Sequence, residues 1–279
     1  MTDRVAIITG GLRGLGRAMT LGLAQQGYAV VAVGHIAADL ADLASETVAT
    51  PLAERVVPIL ADLRHPAECD RVVAVAREQF GGVHILINNA GLTFTYIWPD
   101  LYRRPSPPRF WEATDEIVQN VINTNYVAAD QMARRVAPRM VSQGWGRIVN
   151  VTTKLDTMNR STSGIYGASK AALEMATEIW AKGTGATGLT INIVNPGAGA
   201  DTPGMAEEIR DASREGRIAA LLKPAQMLPP LLWLISSDAD SVNGYRFDAT
   251  LWDSRLPPAE AARRAGRPAG LTLHAALNS

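Results

Sequence analysis

Short β-branched runs alternate with longer stretches of helical period through most of the chain, and this alternation restricts the fold more than any other feature. Residues 5–9, 29–33, 56–60, 85–88, 147–152 and 190–195 are Val/Ile-rich and end in turn residues, which predicts strands. None alternates cleanly with polar residues, the pattern expected of strands covered on both faces. Helical patterns fill the intervals at 14–26, 38–49, 67–80, 115–142 and 166–182. Strand–helix alternation of this kind predicts an α/β fold, a doubly wound parallel sheet with right-handed crossovers. A last strand at 245–248 brings the expected number to about seven. Pro138 inside the longest helical pattern predicts a kink there.

The 279 residues are enough to bury a full core without covalent staples. The 27 basic and 27 acidic side chains balance, so the chain lacks the cationic surface that a nucleic-acid partner requires. Cys69 is the sole cysteine, which excludes an intramolecular disulfide framework and any multi-cysteine metal site. The first residues run directly into a strand pattern with no signal-peptide profile, and no run of eighteen apolar residues occurs. A cytoplasmic protein with no membrane partner and no metal is expected.

Two motifs carry chemistry. Thr9-Gly10-Gly11-Leu12-Arg13-Gly14-Leu15-Gly16 lies between the first strand and the first helix. Glycines there permit a sharp turn and close approach of a ligand, and the helix start offers free N–H donors, an arrangement suited to a pyrophosphate. Tyr166-Gly167-Ala168-Ser169-Lys170 opens a helix, where residues four apart share one face. A phenol and an ammonium then point into one cleft, and the cation is expected to lower the tyrosine pKa toward the range of a general acid/base.

Together with Asn88-Asn89-Ala90-Gly91, Asn125 and Asn195-Pro196-Gly197, these motifs follow the order and rough spacing of the short-chain dehydrogenase/reductase family, which the chain resembles over about residues 4–248. The resemblance implies a Rossmann-type sheet. It implies that Gly10, Leu12, Arg13, Gly14, Leu15 and Gly16 hold the pyrophosphate side of a nicotinamide cofactor. Asp62 would bond the adenine, with Leu63 beside it. Asn89, Ala90 and Gly91 would border the cofactor, Lys170 would bond its ribose, and Pro196 and Gly197 would line the nicotinamide. Thr202 sits one residue beyond the family's usual carboxamide-binding Thr. Asn125 falls where the family keeps an Asn that holds a relay water. Ala128 replaces the Gly usual three residues later, and Asn123 is the alternative. The family's catalytic hydroxyl is normally a Ser thirteen residues before the Tyr. Here that position is Thr153, whose hydroxyl still donates, although its methyl restricts the side chain. Ser161 and Ser163 are the alternatives. Lys154 and Asp156 read as solvated loop charges.

The second strand ends at Gly34-His35, without the acidic residue that usually accepts from an adenosine 2′-OH. The resulting space, with Arg13 as a planar donor fork and His35 as a further donor, favours NADP(H) over NAD(H), which stays open.

Residues 1–248 are read as one dinucleotide-binding and catalytic domain, with an insert at 92–114 and a lid at 198–221. The insert carries Phe94, Tyr96, Trp98, Tyr102, Phe110 and Trp111, read either as a wall of an apolar substrate pocket or as packing. Residues 249–279 read as an extension that caps the site, embraces a neighbour or stays unstructured. The 115–142 and 166–182 helices resemble those the family uses for dimer and tetramer contacts, which implies a homodimer or homotetramer. The reading is an oxidoreductase interconverting a small-molecule carbonyl/alcohol pair, with Tyr166 as general acid/base and Asn125, Thr153 and Lys170 completing the catalytic set. The alternatives are a non-redox epimerase or dehydratase on the same scaffold, and a non-catalytic nucleotide-binding regulator.

Overall fold

The computed structural model describes residues 4–271. Its elements run β1 (Val5–Thr9), α1 (Gly14–Gln25), β2 (Ala29–Gly34), α2 (Ala37–Val48), β3 (Val56–Leu60), α3 (Pro66–Phe80), β4 (Ile85–Asn88) and a short α4 (Phe94–Ile97). They continue with α5 (Asp115–Ile122), α6 (Ala128–Ser142), β5 (Gly146–Val151), a short α7 (Leu155–Met158), α8 (Gly164–Gly183) and β6 (Leu189–Asn195). The chain closes with α9 (Glu207–Arg214), α10 (Leu228–Leu234), β7 (Tyr245–Asp248), α11 (Pro258–Ala265) and β8 (Gly266–Pro268). Strand order is β3-β2-β1-β4-β5-β6-β7-β8, parallel throughout except for the antiparallel β7–β8 pair.

Each face of the sheet is covered by helices, so two apolar layers form. One joins Ile8, Leu23, Val30, Ile87 and Phe247 with α1 and α10, and the other joins Ile7, Val31, Leu86, Met132 and Ile148 with α3 and α6. Parallel order with crossovers brings the C-terminal ends of β1 to β7 to one edge, where open α/β sheets bind ligands. No helix among the described residues is long and apolar enough to cross a membrane.

Two expectations change. The sheet has eight strands, because the segment after residue 248 returns to it. Trp252 packs 6.0 Å from Trp233, α11 buries Ala261, Ala262 and Ala265, and β8 pairs with β7. The three-residue β8, containing Pro268, carries no period-2 signal for a sequence reading to detect. The long helix is interrupted not at Pro138, which lies inside α6, but at Asn123–Val127, a single turn of π-helix. Such turns accommodate one extra residue and often mark functional sites.

A chain ending at Asp248 loses the β8 ladder and uncovers Phe247 and Trp233. Its expected melting temperature is lower by about 6 °C or more, the consequence of roughly 3 kcal/mol or more of lost burial. Thermal denaturation followed by circular dichroism checks this.

Candidate active site

The glycine turn is fixed by the strands on either side of it. Thr9 Oγ1 accepts from the backbone N–H groups of Asn89 and Ala90, each at 3.0 Å, and the Asn89 amide donates back to the Thr9 and Gly10 carbonyls at 3.0 and 3.1 Å. Gly10, at φ +64°, packs so closely that a Cβ would lie 2.8 Å from Asn89 Nδ2. A Cβ at Gly16 would overlap the Gly10 carbonyl oxygen. The turn therefore excludes side chains where the backbone must pass. α1 begins at Gly14 with no side-chain cap on its first amides and no acidic residue in its first turn. Those donors remain available to an anion.

From this turn a groove extends both ways along the strand ends. On one side Gly10, Gly34, His35, Asp62, Leu63 and Ala90 line a hollow, joined by Arg64 and Tyr96. Arg13, Gly14 and Asp39 line the adjoining stretch. Leu12 is buried beneath Gly34, where a Cβ would strike its Cδ1 at 2.7 Å. On the other side a cleft of about 450 Å³ is lined by Leu15, Asn89, Gly91, Thr153, Tyr166, Lys170, Pro196, Gly197 and Thr202. The sequence-derived residues thus meet along one groove, except Gly16 and Asn125, which lie behind its wall.

Three residues at the first end were not foreseen. Asp39, from the first turn of α2, reaches Arg13 at 3.4 Å. A carboxylate is therefore present beside the β2 end after all, supplied from five residues further on. Arg64 grips both carboxylate oxygens of Asp62 at 2.6 to 3.1 Å, and its other amine reaches Asn120 Oδ1. Asn120 in turn donates to the Tyr96 hydroxyl at 2.8 Å. The Arg64 guanidinium holds the Asp62 carboxyl below its ordinary range. The oxygens that the resemblance assigns to adenine are thus already engaged by a neighbour.

At the other end α8 presents Tyr166 and Lys170 one turn apart, both buried. The Lys170 ammonium donates to the Val151 carbonyl at 2.9 Å, and burial pushes its pKa down to about 8. The expected lowering of the tyrosine by Lys170 is not what the geometry gives. Burial raises the Tyr166 phenol, and the opposing influence is a hydrogen bond with the Thr153 hydroxyl. Of the three candidate hydroxyls Thr153 is the one at Tyr166; Ser163 donates to the Thr157 carbonyl and Ser161 is exposed. Lys154 and Asp156 pair with each other at 3.1 Å at the exposed start of α7. Asn125, inside the π turn, is fully buried. Its Oδ1 accepts from Leu92 N at 2.7 Å, and its amide donates to the Leu92 carbonyl and to Ser169 Oγ at 3.1 and 2.9 Å. A Cβ on Gly91 would lie 3.3 Å from Lys170 Nζ and 3.4 Å from Asn125 Oδ1, so Gly91 marks the point where these groups converge.

The aromatic insert divides its labour. Phe94 stacks 4.5 Å from the Tyr166 ring, and Tyr102 joins it in the cleft wall. Trp98 packs inward with Ile97 and Val121. Phe110 and Trp111 are 73% and 67% exposed and touch neither end of the groove. The 92–114 segment and the segment after Gly197 are joined, with the Thr93 and Thr95 hydroxyls both donating to the Gly204 carbonyl at 3.0 and 2.8 Å.

A family model for the short chain dehydrogenases matches residues 4–213. The chain belongs to the short-chain dehydrogenase/reductase family. It is 31% identical over 243 residues to a short-chain type dehydrogenase/reductase of Picea abies, covering 84% of this chain and 86% of the relative. It is 30% identical over 258 residues to an NADPH-dependent aldehyde reductase of Arabidopsis thaliana, covering 88% and 91%. Among solved structures, a 3-ketoacyl-(acyl-carrier-protein) reductase of Brucella melitensis complexed with NADH superposes with a TM-score of 0.73 at 26% identity, over 88% of this chain and 96% of that one. As a member of this family the protein is an oxidoreductase.

The low pKa of Lys170 predicts a pH-dependent stability. Between about pH 8 and the ordinary lysine value the unfolded chain binds the extra proton, so stability rises with pH across that window. Below it the buried charge costs up to about 3 kcal/mol. Lys170→Met removes this dependence. The melting temperature of the wild type measured relative to Lys170→Met is expected to climb from pH 7 to pH 9.5; a constant difference contradicts the assignment.

Proposed function

We propose that the protein is an NADP(H)-dependent oxidoreductase that interconverts a ketone or aldehyde and an alcohol. The observation that carries this reading is the convergence of Thr153, Tyr166 and Lys170 in one cleft that is continuous with the glycine turn. The turn fits a dinucleotide: Gly10 and Gly16 clear the backbone, and the uncapped start of α1 faces the groove. Gly10, Arg13, Gly14 and Leu15 would hold its phosphates, Gly34 and His35 its adenosine, and Gly91, Pro196, Gly197 and Thr202 its nicotinamide end. The nicotinamide, when bound, supplies or accepts the hydride.

Everything else falls to the protein. The phenol, raised by burial, stays protonated at neutral pH and gives its proton from Oη to the substrate oxygen. Thr153 Oγ1 donates to that same oxygen, and its hydrogen bond with the phenol opposes the effect of burial on the proton held at Oη. Asn125 braces the helix through Ser169 and Leu92, and Phe94 and Tyr102 give an apolar wall for the carbon part of the substrate. Exposed Ile179 on α8 and Val141 on α6 support self-association through these helices, as a homodimer or homotetramer.

A second reading, NAD(H), is favoured by Asp39, whose carboxylate is placed to accept from a ribose hydroxyl and to repel a 2′-phosphate. Titration of tryptophan and reduced-nicotinamide fluorescence separates the two. NADPH is expected to bind more tightly than NADH, with Arg13→Ala weakening NADPH about tenfold or more and leaving NADH nearly unchanged. If Asp39→Asn weakens NADH and wild type prefers it, the NAD(H) reading holds. Binding of neither dinucleotide would refute the proposed activity.

A further inference from the structure

β5 leaves the sheet at Val151, the last residue of its register with β6. Thr152 and Thr153 therefore stand beyond the ladder, where strand pairing no longer fixes the backbone. Charged side chains hold them instead. The Arg246 guanidinium, on β7 and only 1% exposed, donates to the Thr153 carbonyl at 2.9 Å. Its other amine lies 2.7 Å from Glu174 Oε2, a carboxylate on α8 one turn past Lys170 with no exposure at all. That same oxygen accepts the Thr152 hydroxyl at 3.1 Å. One ion pair thus grips two consecutive residues, the cation at a carbonyl and the anion at a hydroxyl.

The cluster reaches further on both sides. Arg246 also meets Asp248 Oδ1 at 3.2 Å, and Asp248 accepts from the Asn195 amide, whose Oδ1 takes the Gly197 N–H at 2.8 Å. Residues after 248 close it: Arg267 reaches Asp248 Oδ2 at 3.1 Å, and the Gly270 N–H donates to Glu174 Oε1 at 3.3 Å. Two cations and two carboxylates balance within it. A buried pair of this kind adds little stability over well-packed apolar residues, because desolvation offsets its attraction. What it offers here is geometry, since Arg246 Nη2 donates to both the Thr153 carbonyl and Asp248 while Nη1 lies in ionic contact with Glu174.

We infer that Arg246, Glu174 and Asp248, closed by Arg267 and Gly270 of the C-terminal segment, form a positioning cluster that holds Thr153 against Tyr166 and couples it to the Pro196–Gly197 segment. The inference rests on the reading of Thr153 as the hydroxyl partner of Tyr166. It gives the C-terminal segment a part in the active site, although none of its described residues lines the cleft.

The test uses full-length protein labelled with ¹³Cζ-tyrosine at pH 7, with the Tyr166 resonance assigned by Tyr166→Phe. Thr153→Val breaks the hydroxyl contact and displaces that resonance. Glu174→Leu with Arg246→Leu, which leaves no unpaired charge, is expected to displace it in the same direction by at least half as much while the melting temperature holds within a few degrees. Arg246→Lys retains the buried charge and is the fold-preserving companion. Its single nitrogen replaces two that face different acceptors, so part of the cluster is lost and a smaller displacement of the same sign is expected. A Tyr166 resonance that moves in Thr153→Val but stays at its wild-type position in both cluster variants overturns the positioning role alone. A resonance unmoved by Thr153→Val overturns the Thr153–Tyr166 reading, and the inference with it.

Discussion

The site depends on the exchange of hydrogen bonds between Thr9 and Asn89 across the two central strands. Thr9 uses its hydroxyl to receive two backbone amides from the β4 end, and Asn89 uses its side-chain amide to hold the two carbonyls that begin the glycine turn. The turn after β1 and the loop after β4 are thereby locked together. The residues on that loop, Ala90 to Thr93, are the ones that border the groove at its centre. Gly10 and Gly16 are required by this lock, because any side chain on them would push the two segments apart.

With the centre fixed, the two ends acquire different electrostatic character. The end at Arg13 and Arg64 is a surface of paired charges, Arg13 with Asp39 and Arg64 with Asp62, where a ligand must compete with partners already in place. The end at Tyr166 and Lys170 is buried. Desolvation there moves Tyr166 and Lys170 in opposite directions, raising the phenol and lowering the ammonium, so both groups shift toward their neutral forms. Burial therefore brings Lys170 toward the neutral pH range and takes Tyr166 further from it, with the Thr153 hydrogen bond opposing the latter. The latch of Thr93 and Thr95 to Gly204 lies in the wall of the same cleft.

The sequence made the strands and main helices legible because each carries its own hydrophobic period, and the ligand edge because parallel order leaves it nowhere else. Tyr166, Lys170 and the glycine turn were legible as local spacings. Asp39 and Arg64 were not, since each acts through a partner that only the fold brings near. The π turn had no signal of its own, although Asn125, the residue it buries, was in view. Arg246 reads in sequence as one polar residue of a short strand. Only its burial with Glu174, 72 positions away by residue number, shows that it lies beneath the active site. The insert was read as a unit, and the structure splits it: Phe94 and Tyr102 face the cleft, Trp98 packs, and Phe110 and Trp111 remain outside.

The account turns on one proton held at one atom, the Tyr166 phenol. Its most direct test is the steady-state rate of Tyr166→Phe with NADPH and an aldehyde substrate of the wild type, set beside the NADPH dissociation constant of the same variant. Turnover should fall by about a hundredfold or more, the ordinary worth of a positioned general acid, with NADPH binding unchanged. A variant that binds NADPH normally and still reduces the aldehyde within a few-fold of the wild-type rate would contradict the account.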